Sequence, residues 1–121
     1  LVLGAGAIGR QIGRILGGYE CDVTIISRSQ PPTLADLDDL LPQADVVLAA
    51  LPETEETVGI FTASRLAAMK PTAVFVNVGR GSAVDEPALI EALQAGRLAG
   101  AVLDVTAVEP LPAASPLWRL T

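Results

Sequence analysis

The chain has no histidine and one cysteine, Cys21. A lone cysteine excludes an internal disulfide and a cysteine-only metal site, and without histidine the usual zinc ligand sets are absent, so no metal is expected. With no disulfide framework to maintain, a reducing, cytoplasmic setting is the expectation. Aromatics are also scarce: Tyr19, Phe61, Phe75 and Trp118 are all there are, while half of the 121 residues are hydrophobic. The core must therefore be Ala, Val, Leu and Ile packed between layers. Basic residues are outnumbered 8 to 14, for a formal net charge of −6. That balance repels phosphate backbones in general, and nucleic acid is not an expected partner. No apolar run approaches the ~20 residues of a membrane span and no basic leader precedes an apolar stretch, so no membrane partner is expected either. The length suits one domain with a core of its own. The chain opens inside an apparent strand without an initiator Met and stops soon after Pro116-Leu117-Trp118, so a piece of a longer protein is expected.

What is present alternates. Leu1–Leu3 is a short apolar strand, and Ala7–Leu16 places Ile8, Ile12, Ile15 and Leu16 at helical spacing before Gly17-Gly18. The β-branched run Asp22–Ile26 predicts a second strand, followed by Ser27-Arg28-Ser29 and a Pro31-Pro32 loop. Thr33 caps a short helix over Leu34–Leu41. Further strands are predicted at Asp45–Leu51, Ala73–Val78 and Ala99–Val105, with helices at Ala63–Met69 and Asp85–Ala95, the latter stopped by Gly96. The proline-rich tail Glu109–Pro116 reads as a boundary or linker. Nearly continuous apolar strands alternating with helices imply an α/β fold, a doubly wound parallel sheet of Rossmann type with helices on both faces.

Five segments carry chemistry. In Gly4-Ala5-Gly6-Ala7-Ile8-Gly9, Gly4 makes a tight turn, Gly6 lets main-chain N–H groups approach a pyrophosphate, and Gly9 lets the helix pack on the strand. Ala7 and Ile8 open the helix, whose N-terminus adds partial positive charge. Such glycines also occur in turns that bind nothing, but here a strand precedes and a helix follows, the context a dinucleotide site requires. About twenty residues on, where a carboxylate would hold a ribose 2′-hydroxyl, stand Ser27, Arg28 and Ser29. An arginine there accommodates a 2′-phosphate, which points to NADP, with NADPH preferred over NADH; the alternative is a solvated surface arginine. Leu51-Pro52-Glu53-Thr54-Glu55-Glu56-Thr57 follows the third strand at the carboxyl edge where open α/β sheets bind ligands, or is a polar turn with a cap. Asn77-Val78-Gly79-Arg80-Gly81 exposes one arginine between two glycines at the same edge. Asp104 ends the fifth strand and Glu109 stands before Pro110. Each of these also fits an ordinary surface residue, yet Arg80, Asp104 and Glu109 converge on one edge from separate strand ends.

These segments, with Val76–Asp85 and Ala101–Pro110 taken whole, resemble the nucleotide-binding domain of the D-isomer-specific 2-hydroxyacid dehydrogenases over essentially all of the chain. The likeness is greatest to the glyoxylate/hydroxypyruvate reductase branch, in which a Ser-Arg-Ser-like segment goes with NADPH. The resemblance implies that Arg80 binds the substrate carboxylate and carbonyl, that Glu109 pairs with a catalytic histidine, and that Asp104 hydrogen-bonds the nicotinamide carboxamide. It places Leu51, Pro52, Thr57, Val78 and Gly79 along the cofactor, makes a small 2-oxo acid the substrate, and implies a homodimer. The family's histidine lies in a Thr-Pro-His segment expected just beyond residue 121, and its substrate domain comes from sequence on both sides of this stretch. A non-catalytic dinucleotide sensor or corepressor-like protein of the same fold is the alternative, against which the presence of both Arg80 and Glu109 argues. A third, an S-adenosylmethionine-dependent methyltransferase, wants an acid where Ser27-Arg28 stand. The 121-residue chain alone is accordingly expected to bind cofactor without turning over. NADPH oxidation followed with excess glyoxylate checks this, and substantial activity would overturn it.

Overall fold

The computed structural model describes residues 1–120. Five strands, β1 (Val2–Leu3), β2 (Ile25–Ile26), β3 (Val46–Ala49), β4 (Val74–Asn77) and β5 (Gly100–Leu103), form one parallel sheet in the order β2-β1-β3-β4-β5. The helices are α1 (Ala7–Gly17), α2 (Leu37–Leu40), α3 (Ala63–Ala68) and α4 (Glu86–Gln94). Strand order reverses between β1 and β3, so the crevice that such a sheet offers to ligands opens at the carboxyl ends of those two strands.

One face of the sheet carries the core. Leu3, Ile26, Val47, Ala49 and Phe75 pack there with Leu37, Leu41, Leu66, Leu89 and Ala92 from the helical layer. Phe61 meets Phe75 edge to face at 4.8 Å, the favoured arrangement for two aromatic quadrupoles. The covering helices start at side-chain caps: Thr62 Oγ1 accepts from the Arg65 N–H at 3.3 Å, and Asp85 Oδ1 from the Ala88 N–H at 3.1 Å.

The opposite face carries α1, so helices stand on both faces of the sheet as expected, but the cover on this side is thin. Register aligns Val2, Leu48, Val76 and Val102 in one row across the sheet. Only α1 lies over it, at the β1 end, and exposure rises from 1% at Val2 to 58% at Val102. The helix docks through its glycines: a Cβ on Gly9 would lie 1.8 Å from the Gly4 carbonyl oxygen, and one on Gly13 2.6 Å from Ile25 Cδ1. Main chain so close to the strands turns part of the apolar stripe of α1 outward, leaving Ile8 58% and Ile15 49% exposed while Ile12 and Leu16 are half-buried.

Three smaller differences have local causes. The second strand is regular only over Ile25–Ile26, although Thr24 already accepts from the Val2 N–H at 2.8 Å. The helix expected over Leu34–Leu41 is one α-turn between two 3-10 turns, Leu34–Asp36 and Leu41–Gln43. Pro42 has no N–H to extend it, and Asp36 turns its carboxylate back onto the Thr33 N–H at 2.7 Å. The tail is not an extended linker: Trp118 Nε1 donates to the Pro112 carbonyl at 3.0 Å, and the folded-back segment encloses about 380 Å³ against Leu93, Leu98 and Leu103. Leu111 and Leu117 of the tail line this space together with Ala101 and Leu103 of β5.

Because the Gly9 contact is backbone against backbone, neither partner can rotate away. Gly9→Ala is expected to lower stability by about 3 kcal/mol, the scale of an overpacked core, and denaturant unfolding of the two proteins measures it.

Candidate functional site

The carboxyl edge of β1 and β3 opens into a groove of about 970 Å³. Its floor is the turn after β1. Gly4 takes φ +111°, a conformation reserved in practice for glycine, and a Cβ there would lie 2.5 Å from the Ala50 carbonyl oxygen. The turn is thereby pressed onto the end of β3. Gly6 is the opposite case: nothing stands within 4 Å of where its Cβ would be, so the main chain at the start of α1 faces open space. The first turn of α1 has no side-chain cap and no acidic residue. Its free N–H groups and the positive end of the helix dipole are therefore available to an anion.

Of the cofactor residues expected from the sequence, Gly4, Gly6, Ser27, Arg28, Ser29, Leu51, Pro52 and Thr57 line this groove. Ala7 and Ile8 are exposed beside it and Gly9 is buried beneath it. Two of the hydroxyls build loops. Ser27 Oγ donates to the Gln30 carbonyl at 2.5 Å and accepts from the Gln30 N–H at 2.9 Å, closing the 27–30 turn on itself. Arg28 and Ser29 stand exposed at the tip of that turn. Thr57 is buried; its Oγ1 donates to the Pro52 carbonyl at 2.6 Å and accepts from the Thr54 N–H at 2.9 Å, which shapes the loop after β3.

Two arginines of the groove escaped the sequence reading. Arg10 sits one turn into α1, with its Nε donating to the Ala5 carbonyl at 2.5 Å. Its place immediately after the third glycine of the motif was the available signal. Arg65 forks onto Asp38 at 2.7 and 3.1 Å and also reaches the Ile60 carbonyl at 3.0 Å. That hydrogen bond holds the Asp38 carboxyl below the usual carboxylate range. No periodicity links residues 27 apart in sequence.

Outside the groove lining, which does not include the expected cofactor residues Val78, Gly79 and Asp104, the turn after β4 is wedged between its neighbours. A Cβ on Gly79 would lie 2.6 Å from the Leu51 carbonyl oxygen, and one on Gly81 1.9 Å from that of Thr106. Val78 donates its N–H to the Ala49 carbonyl at 2.9 Å and so continues the ladder with β3. Arg80, between the two glycines, is exposed, and its Nη1 donates to the Gly79 carbonyl at 2.8 Å. The next loop is tied by carboxylates: Glu109 Oε1 accepts from the Thr106 N–H at 3.1 Å, and Glu86 Oε2 from the Ala107 N–H at 2.9 Å. Asp104 is held by its main chain, donating to the Asn77 carbonyl at 3.0 Å, with its side chain exposed. Among the described residues no salt bridge joins Arg80 to Asp104 or Glu109.

Residues 1–121 match the model of the D-isomer specific 2-hydroxyacid dehydrogenase, NAD binding domain. The chain belongs to this family. Among its relatives, the glyoxylate/hydroxypyruvate reductase B of Escherichia fergusonii is 44% identical over 98% of the chain, which spans 40% of that protein. A D-isomer specific 2-hydroxyacid dehydrogenase of Xanthobacter autotrophicus, solved in complex with NADPH and MES, superposes with a TM-score of 0.91 at 44% identity, covering 97% of this chain and 39% of that one. The NADPH-dependent glyoxylate/hydroxypyruvate reductase of Sinorhizobium meliloti, solved in apo form, gives 0.89 at 34% identity, covering 97% and 64%. The chain thus spans about two-fifths of the curated relatives' length. The open main chain at Gly6 and the buried one at Gly9 differ in what a methyl group would meet. Gly6 has the extended φ of −76° that any residue adopts. Gly6→Ala should therefore leave stability within about 0.5 kcal/mol while weakening dinucleotide binding. Thermal melts beside titrations check both halves, and unchanged affinity would remove Gly6 from the cofactor contacts.

Proposed function

We propose that the chain is the coenzyme domain of an NADPH-dependent reductase of small 2-oxo acids, of the glyoxylate/hydroxypyruvate type, and part of a longer two-domain protein. The observation that carries this reading is the shared edge. The glycine turn, the Ser27–Ser29 tip and the Arg80 turn are packed on successive strand ends of one sheet, with Leu51 between the first and the last. The residues fit the cofactor: a bare helix N-terminus for the pyrophosphate, a main chain with room at Gly6, and a guanidinium at Arg28 where the adenosine ribose would lie. The NADPH complex of the Xanthobacter relative and the NADPH dependence of the Sinorhizobium one support the same choice.

In this reading Gly4, Gly6, Gly9 and the first residues of α1 hold the pyrophosphate, Arg28 and Ser29 take the 2′-phosphate, and Leu51, Pro52, Val78, Gly79 and Asp104 line the nicotinamide half. Bound NADPH supplies the hydride that the substrate carbonyl receives. Arg80 binds the carboxylate and carbonyl oxygen of the 2-oxo acid. A guanidinium is suited to this because its planar fork matches a carboxylate and it stays charged as negative charge grows on the carbonyl oxygen. Glu109 has one oxygen engaged by Thr106. Its carboxylate would orient a protonated imidazole and favour the charged form. That imidazole belongs to sequence outside these residues, since the chain holds no histidine.

Cofactor choice is open to direct test. A charge-assisted contact to phosphate contributes roughly 1.5–3 kcal/mol. Arg28→Ala is therefore expected to weaken NADPH binding about tenfold to a hundredfold in calorimetry and to leave NADH nearly unchanged. Equal weakening of both would show that Arg28 does not read the 2′-phosphate.

A further inference from the structure

Asn77 is the last residue of β4 and, at 1% exposure, one of two buried polar side chains among the described residues. Both halves of its amide are used, and both on the turn that carries Arg80. Nδ2 donates to the Arg80 carbonyl at 2.9 Å, and Oδ1 accepts from the Gly79 N–H at 3.0 Å. One planar group therefore fixes the peptide entering Gly79 and the peptide leaving Arg80. Its own main chain is anchored in turn, through the register that pairs it with Ala49 and Leu103 and through the bond its carbonyl accepts from Asp104.

We propose that Asn77 is the positioning residue for Arg80. The inference rests on the assignment of Arg80 to the substrate carboxylate made above. The Leu51 and Thr106 main chains limit where the turn can lie, because Gly79 and Gly81 fit against them without a Cβ. Steric limits do not set the rotation of the peptide entering Gly79 or of the peptide leaving Arg80; the Asn77 amide does. The direction in which the Arg80 side chain leaves the turn follows from that rotation. So does the position of the Gly79 carbonyl, to which the guanidinium donates.

The pairing also explains the residue type. The Arg80 carbonyl needs a donor and the Gly79 N–H needs an acceptor, on one short planar group. Aspartate offers only acceptors when ionised, and sets an oxygen against the Arg80 carbonyl. Serine can accept from the Gly79 N–H, in the manner of a hydroxyl turn, but is too short to span both partners. Glutamine adds a methylene that the buried site has no room for.

The test uses the full-length protein that carries this domain, with glyoxylate as substrate. Asn77→Asp and Asn77→Ser are each made with Arg80 present and in an Arg80→Ala background. Guanidinium chloride is added to restore measurable turnover to the proteins lacking Arg80. With Arg80 present, each Asn77 variant is expected to lower kcat/KM about tenfold or more, the scale of a misplaced binding group. NADPH affinity should fall far less than kcat/KM, since the glycine turn, the Ser27–Ser29 tip and the loop after β3, which hold most of the cofactor in this reading, have no bond to the amide. Without Arg80, the same substitutions should change kcat/KM by less than about twofold, because the residue they act through is gone. Equal losses in both backgrounds, or NADPH affinity falling in step with kcat/KM, would overturn the proposal. The serine variant keeps the test open if the buried aspartate prevents folding. A different result, Arg80→Ala with wild-type KM and kcat, would overturn the assignment of Arg80 itself.

Discussion

Main chain lies against main chain at three places along one edge of the sheet. Gly4 presses on Ala50, Gly79 on Leu51, and Gly81 on Thr106. At each point a single methyl group would collide with a carbonyl that the strands hold in place. These contacts decide how far apart the loops of β1, β3, β4 and β5 can sit, and so the width of the groove and the distance from glycine turn to Arg80. The hydrophobic core beneath tolerates exchange among Val, Leu and Ile at modest cost. The edge does not, because its spacing is set by the absence of side chains.

Electrostatics adds a second layer. The chain is acidic overall, yet Arg10, Arg28 and Arg65 all border the groove. Arg65 is largely committed to Asp38 and to a carbonyl, and Arg10 is partly committed to Ala5. Arg28 has no such engagement among the described hydrogen bonds and salt bridges. A multiply charged anion approaching this surface meets general repulsion, relieved locally by the uncapped N-terminus of α1 and by the uncommitted guanidinium of Arg28. Discrimination between dinucleotides can then rest on a single side chain without the rest of the surface binding phosphates indiscriminately.

Much of this was legible in the sequence, and for specific reasons. Continuous apolar runs at Asp45–Leu51 and Ala73–Val78 announced buried parallel strands, and the glycine spacing announced a turn that packs a helix on a strand. The order of motifs then put Arg80 on the correct edge. What was not legible depends on orientation. The stripe Ile8, Ile12, Ile15 and Leu16 marks a helix correctly but not its packing side, because glycines, invisible to a hydrophobic pattern, seat α1 on the sheet. Ser27 reads as a ligand by position, yet its hydroxyl closes its own turn. The Arg65–Asp38 pair and the two-sided use of Asn77 arise from chain folding, which no local spacing encodes.

The row of valines that runs outward from α1 has a practical consequence. Val102 at its open end, with Val46 in the next row and the outward isoleucines of α1, offers water a ribbed apolar strip over an otherwise charged molecule. A strip of that kind tends to find another apolar surface as concentration rises. Self-association would then compete with folding measurements on the isolated domain, and dilution becomes as informative a variable as temperature.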